Sequence, residues 1–294
     1  MSIRYRIRHE TEYKYAMPVS FGHSQLFLRP RDLPHQRCLS SLIDIEPSPG
    51  SANIRTDYFG NHTMLYSVQE SHQRMTISSI NEVEVDPLLP PSPGESPAWE
   101  DIRELVRRAD RPVTLQALEF TFNSILVRTH RELTEYATES FSAGRPIVDA
   151  CLELTQRIFK DFKYDPSTTT ISTPVAEVFA QRSGVCQDFA HLQIAMLRGL
   201  GLPVRYVSGY LRTFRDPKKT DPKLIGADAS HAWLGVYIGD ERWVDFDPTN
   251  NQIPQEHHVT IGWGRDYADV SPVKGVIVGG GEQKIAVRVH VDAI

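Results

Sequence analysis

Three residues that lie far apart in the chain, Cys186, His231 and Asp247, have the side chains that nucleophilic catalysis by a thiol requires. In such chemistry a thiolate attacks, an imidazole transfers the proton and a carboxylate fixes the imidazole tautomer. A single cysteine is just as often an inert core residue. A catalytic role therefore depends on the elements that position the three side chains.

A helix is predicted to begin at about Cys186. Gly184 is expected to end the short helix before it, because glycine tolerates the left-handed conformation of helix ends, and Thr173 and Pro174 mark where that short helix begins. Apolar residues follow Cys186 at helical spacing until glycines and a proline stop the pattern: Phe189, Leu192, Ile194, Met196 and Leu197. At the start of such a helix, free N–H groups and the helix dipole favour a thiolate.

A hairpin is predicted for residues 230–249, with a turn at 239–242. His231 and Asp247 both have odd numbers, so they share a face only if the positions of opposed residues sum to an even number. In that register the Asp247 carboxylate lies beside the imidazole. Asp245 is on the same face and is the alternative partner after a slip of two residues.

Around these residues run Arg-Ser-Gly-Val-Cys-Gln-Asp-Phe-Ala-His at 182–191, His-Ala-Trp at 231–233 and Trp-Val-Asp-Phe-Asp-Pro-Thr at 243–249. Together they resemble the motifs of the transglutaminase-like, papain-type cysteine enzymes. The resemblance assigns Cys186 as nucleophile, His231 as general base and Asp247 as the residue that orients it. Residues 1 to about 85, and the segment 264–270, also resemble bacterial members of that superfamily.

The predicted fold class is α+β. An N-terminal β-sandwich domain is expected at 1–86, because short alternating segments are separated there by turn residues, and a proline-rich linker at 87–97. The resemblance places the catalytic domain at 98–294, with the nucleophile helix packed on an antiparallel sheet. Helices are expected at 100–109, from 114 to about 130 and from Pro146 onward, and a closing hairpin at 276–291.

Composition favours a soluble cytoplasmic protein without nucleic-acid or membrane partners. The net charge is -5, and no apolar run approaches the roughly 20 residues of a membrane span. Three cysteines and the lack of a signal-peptide pattern agree with a reducing compartment. No cofactor or metal is predicted, since Cys186, Asp188 and His191 do not lie together on one side of a helix. His191 is expected to be structural.

The predicted activity is cleavage of an amide or peptide bond through an acyl-enzyme. Acyl transfer to an amine, and a non-catalytic binding domain on the same fold, remain alternatives. Four residues are candidates for substrate binding: Gln187, Asp188, Trp233 and Tyr164. Asp188 is equally suited to capping the helix, and Gln181 or Tyr164 could supply the second oxyanion donor. The polar segment 214–230 is a candidate wall or lid of the cleft. The sequence indicates neither the substrate nor the oligomeric state.

Overall fold

A computed structural model describes residues 2–212, 225 and 230–294. Its N-terminal part is rich in strands, as predicted: β1 (Ile3–Leu26), β2 (Gln36–Glu46), β3 (Ser51–Thr56), β4 (His62–Val68) and β5 (His72–Val85). The strands lie in the order β2-β5-β1-β4-β3. The long β1 pairs with β5 along its first half and with β4 along its second. Alternate β1 residues such as Tyr5 and Ile7 are fully buried, which explains the alternation in the sequence.

Four helices follow β5: α1 (Trp99–Arg108), α2 (Pro112–Glu119), α3 (Arg131–Thr138) and α4 (Ile147–Asp161). The single helix expected from 114 to about 130 is wrong, because α2 ends at Glu119. Beyond it, backbone N–H groups are bound by side chains: Leu126 N–H donates to Asp266, and Thr129 N–H donates to Asn123. These contacts replace the hydrogen bonds that a continued helix would make.

The segment around Cys186 contains β6 (Lys163–Tyr164), α5 (Val175–Gln181), β7 (Ser183–Gly184) and α6 (Cys186–Gly199). The helix start at Cys186 agrees with the prediction, but the role given to Gly184 is wrong. Arg182, with φ 55°, takes the left-handed position after α5, and Gly184 lies in β7 beside Tyr164 of the parallel strand β6. A Cβ at Gly184 would lie 2.7 Å from an Asp188 carboxylate oxygen, so glycine is needed for that close approach.

The antiparallel sheet of the core contains β8 (Val204–Leu211), β9 (His231–Tyr237), β10 (Trp243–Phe246) and β11 (His258–Gly264), in the order β10-β9-β8-β11. Helix α6 is almost wholly buried and shares one apolar core with this sheet. Arg198, near its C-terminal end, donates to the carbonyls of Phe120, Val204 and Arg265. These bonds fix α6, and therefore Cys186, against the sheet.

The chain ends with α7 (Tyr267–Val270), β12 (Val273–Gly279) and β13 (Gln283–Ala293). The expected closing hairpin is wrong, because both strands pair with β1, from Leu26 opposite Val273 to Tyr5 opposite Ala293. Three consecutive glycines, 279–281, have φ values of 97°, 86° and 62°, and they let the chain follow β1 past its irregular stretch.

Both ends of the chain therefore lie in the N-terminal sheet, and the Tyr5 and Ile7 side chains belong to the same core cluster as α6. The fold class is α+β as predicted, and the boundaries at 86 and 97 stay a prediction. Within the described ranges, no helix combines the length and the apolar character that a membrane crossing requires.

Candidate active site

Cys186 is the first residue of α6 and is half-buried. The Asp188 carboxylate, two residues further on, accepts the Val185 N–H at 2.8 Å and the Thr169 hydroxyl at 2.6 Å. Asp188 therefore caps the helix start, one of the two roles predicted for it. The capping bond fixes the backbone immediately before the thiol, and the free N–H groups of the first turn face the same region.

The hairpin has the register that a thiol–imidazole–carboxylate site needs. Trp243 opposes Tyr237 and Asp245 opposes Gly235, so odd positions face odd positions. Asp247 follows β10 directly, and its Oδ2 lies 2.8 Å from His231 Nε2, with both side chains fully buried. This is the arrangement expected for a carboxylate that orients an imidazole.

The Asp247 carboxylate accepts hydrogen bonds on both oxygens. Oδ1 receives the N–H groups of Thr249 and Asn250 at 3.0 and 3.2 Å. Oδ2 receives Nδ2 of Asn250 at 2.8 Å and Nε2 of His258 at 3.1 Å, besides His231. Burial alone would raise the pKa of Asp247, but the two histidines hold it far below its usual range. Asp247 is therefore a stable buried anion.

His231 is held as a cation by its neighbours. Burial alone would lower its pKa, but the charge and hydrogen bond of Asp247, and then the contact with Cys186, raise it to about 10. Its Nδ1 is buried and makes no hydrogen bond of standard length and angle to the described residues. The thiol–imidazole contact is therefore a loose one, as is common before substrate binds.

Asp245, the alternative orienter, is occupied elsewhere. Its Oδ2 accepts the Trp233 indole N–H at 2.8 Å, and its Oδ1 lies 3.6 Å from the Arg205 guanidinium. A Cβ at Gly235 would lie 2.6 Å from Asp245 Oδ1, so a glycine on β9 makes room for this carboxylate. The structure thus places Asp247, and not Asp245, against His231.

Two parts of the chain match models of known protein families. Residues 5–84 match the bacterial transglutaminase-like N-terminal region, and residues 133–248 match the transglutaminase-like superfamily. An uncharacterized protein of Mycobacterium tuberculosis is 40% identical over 295 residues, covering 99% of this chain and 92% of its own. The chain belongs to the transglutaminase-like superfamily.

Two further relatives extend the comparison. A crystal structure from Cytophaga hutchinsonii, provisionally described as a cysteine protease, has a TM-score of 0.77 at 22% identity and covers 100% of this chain and 91% of its own. At that identity it supports the fold alone. A protein-glutamine gamma-glutamyltransferase of Pseudomonas aeruginosa is 28% identical over 109 residues, which are 35% of this chain and 16% of that protein.

The predicted substrate contacts of this transglutaminase-like protein differ in exposure. Tyr164 is half-buried on β6, and burial together with the charges of Cys186 and Asp188 raises its pKa to about 12. Gln187 donates to the Ile171 carbonyl at 3.0 Å. Trp233 is fully buried between strands, with its indole bound to Asp245, so it offers no open surface to a substrate.

The other predicted residues around the thiol have structural contacts. His191 is buried and accepts the Tyr267 N–H on Nε2 at 3.1 Å, and burial lowers its pKa to about 4. It is structural, as predicted. Gln181 donates to the Ser183 carbonyl at 3.2 Å, so Tyr164 is the oxyanion candidate whose environment includes Cys186.

Asn250 and His258 also contact the Asp247 carboxylate, and neither is among the site residues predicted from the sequence. Asn250 lies three positions after Asp247, and its Oδ1 accepts the Ile225 N–H at 2.8 Å. A polar residue so close to the Asp-Pro-Thr run was a usable signal. His258 had no local signal, because it reaches Asp247 only through the position of β11 next to β8. The predicted lid at 214–230 lies outside the described residues, except for Ile225 and Ser230.

His231, Asp247 and His258 are ligand types for a metal ion, and their donor atoms lie within 4.8 Å of one another. Both imidazoles, however, contact the same carboxylate oxygen through Nε2. A metal would require both nitrogens to be deprotonated, whereas the raised pKa of His231 favours its protonated form. The site therefore fits a hydrogen-bonded triad better than a metal centre.

Proposed function

We propose that the protein is a thiol-dependent amide or peptide hydrolase that works through an acyl-enzyme. Cys186 is the nucleophile, His231 the general acid and base, and Asp247 the residue that orients the imidazole. The supporting observation is the buried 2.8 Å bond between His231 Nε2 and Asp247 Oδ2, which leaves Nδ1 for the thiol at the start of α6. We also propose a cytoplasmic location, because a reducing compartment keeps cysteines as free thiols, the state of Cys38, Cys151 and Cys186.

In the first half of the reaction the Cys186 thiolate attacks the amide carbon, and a carbon–sulfur bond forms while the carbonyl oxygen becomes an oxyanion. Protonated His231 gives its proton to the leaving nitrogen as the carbon–nitrogen bond breaks. An amine departs and a thioester remains on the enzyme. Asp247 stays ionised and stabilises the imidazolium whenever His231 carries the extra proton.

In the second half, neutral His231 takes a proton from water, whose oxygen attacks the thioester carbon. The carbon–sulfur bond breaks, the carboxylic acid leaves and the thiolate–imidazolium pair is restored. The Cys186 backbone N–H at the start of α6 is one donor to the oxyanion. We assign the Tyr164 hydroxyl as the second donor, because Tyr164 lies on the strand that pairs with Gly184, two residues before the thiol.

Acyl transfer to an amine is the second candidate, and the relationship to the Pseudomonas glutamyltransferase favours it. Such an enzyme must keep water away from the acyl-enzyme until an amine enters. The segment before His231 is rich in lysine, aspartate and proline, with Phe214, Leu224 and Ile225 as its large apolar side chains. We therefore favour water as the acceptor and a polar or acidic substrate.

The test is intact-mass spectrometry of the protein after incubation with a panel of acyl amides, followed by a partition experiment with a primary amine. An acyl adduct should form on the native protein and on Cys38→Ala, and should be lost in Cys186→Ala. When the acyl adduct turns over in the presence of millimolar primary amine, the main product should be the carboxylic acid. Predominant amide product would favour the transferase, and no adduct from any amide or electrophilic probe would favour a non-catalytic binding domain.

A further inference from the structure

His258 is a second histidine bound to the carboxylate of the triad. Its Nε2 lies 3.1 Å from Asp247 Oδ2, the same oxygen that His231 contacts at 2.8 Å. The ring is 3% exposed and meets the Trp233 indole edge-on, with centroids 5.1 Å apart. These contacts hold the ring in one position beside the carboxylate.

The hydrogen-bond partners of His258 define its protonation state. Nδ1 is buried and has no partner among the described residues, so a proton on it would be an unsatisfied buried donor. The proton therefore belongs on Nε2, which donates to Asp247. Burial is the largest influence on the pKa of His258 and lowers it. The hydrogen bond and charge of Asp247 raise the pKa by less than burial lowers it, and the charge of His231 lowers it again. One neutral and one charged imidazole share the carboxylate.

We propose that His258 is a positioning residue of the reaction: its neutral imidazole donates to Asp247 and holds that carboxylate ionised and oriented toward His231. This role rests on the proposed function, because it serves the thiol–imidazole pair. A carboxylate with fewer donors is protonated more readily. Without His258, Asp247 should support the imidazolium less well at acid pH, and Cys186 should be alkylated more slowly there.

The experiment compares His258→Gln with His258→Asn. Both side chains are uncharged amides, but the longer glutamine places its N–H₂ near the original Nε2, whereas asparagine reaches only the Nδ1 position. The readout is the rate of Cys186 alkylation by iodoacetamide from pH 5 to 9, which requires no substrate. His23→Asn is the control, since His23 is a histidine of the N-terminal sheet that contacts Ser67.

Near pH 5.5 we expect the Asn variant to react about tenfold more slowly than the native protein, the effect of a shift of one pKa unit. The Gln variant should stay within about threefold of the native rate, on the same scale. The three rates should converge at pH 9. If His258→Gln and His258→Asn lower the melting temperature equally and leave the pH profile of Cys186 alkylation unchanged, the proposal is overturned and His258 is purely structural.

Failure of the proposed function gives a different result. A native Cys186 that reacts no faster than Cys38 at pH 6, and forms no acyl adduct, would overturn both the hydrolase and the role of His258. An activated native Cys186 whose profile is the same in the Asn variant would overturn the role of His258 alone.

Discussion

Trp233 donates its indole N–H to Asp245 Oδ2 at 2.8 Å, and this bond assigns different roles to the two aspartates of the hairpin. Asp245 and Asp247 are two positions apart, and the sequence allows either to face the imidazole. The Trp233 indole and the Arg205 guanidinium both contact the Asp245 carboxylate, two residues before Asp247. Asp247 is left for His231.

Exchanging each aspartate for asparagine should separate these roles. Asp247→Asn should lower turnover by about 10⁴-fold, because an amide N–H₂ facing Nε2 favours the wrong imidazole tautomer. Asp245→Asn should lower turnover by less than about tenfold, since its amide oxygen can still accept the indole N–H. Circular dichroism and melting temperature check that both variants fold. The reverse order of effects would assign the orienting role to Asp245.

The reactivity of the three cysteines is a direct test of activation. Cys151 is fully buried, and burial raises the pKa of the Cys151 and Cys38 thiols. Cys186 lies at a helix start beside a protonated imidazole, and cysteines in such positions are the reactive ones. Iodoacetamide at pH 7 should therefore modify Cys186 well before the other two, as followed by peptide mass spectrometry. Equal modification of Cys186 and Cys38 in the native protein would contradict an activated nucleophile.

The sequence predicts those parts of the site that are determined by residues close together in the chain. The helix start at Cys186 follows from apolar periodicity, although Gly184 does not end the helix before it. The facing strands of the hairpin follow from the turn at 239–242 and from alternating apolar residues. The sequence leaves open whether odd positions of one strand oppose odd or even positions of the other. In the structure odd positions oppose odd ones, and the bond between Trp233 and Asp245 stabilises that register. His258 depends on the pairing of β11 with β8, and β12 and β13 depend on pairing with β1. These pairings join distant residues, and no local pattern encodes them.

The raised pKa of His231 predicts how stability depends on pH. The folded value of about 10 lies above the unfolded one of roughly 6.5, so the folded state binds the proton more tightly. The stabilisation from the His231–Asp247 pair is fully present below about pH 6.5 and is lost as the pH rises through 10. The melting-temperature difference between the native protein and His231→Gln should therefore be largest near pH 6 and shrink toward pH 10. A difference that is constant over this range would contradict a charged His231.

The capping bond from Asp188 should contribute to stability and to the geometry of the thiol. Asp188→Ala removes the acceptor of the Val185 N–H and should cost about 1 kcal/mol of unfolding free energy, as for other helix caps. Asp188→Asn keeps an oxygen acceptor and should restore most of it. Chemical denaturation measures the loss, and iodoacetamide labelling follows the thiol. An alanine variant as stable as the native protein would show that the bond is not a working cap.

Gly184 gives the sharpest test of how closely the capping side chain is packed. An added Cβ would lie 2.8 Å from the Asp188 Cβ and 2.7 Å from its Oδ2, so one of the two must move. Gly184→Ala should therefore cost about 1–3 kcal/mol, the usual range for overpacking, and should slow Cys186 alkylation because the displaced carboxylate can no longer hold the Val185 N–H. Gly50→Ala is the matched control, since a Cβ there meets nothing within 4 Å.

Combining Gly184→Ala with Asp188→Ala should cost less unfolding free energy than the sum of the single changes, because the clash and the cap involve the same side chain. If the losses of unfolding free energy were additive, the Gly184 change would act through contacts other than the Asp188 side chain, and it would not bear on the geometry of Cys186.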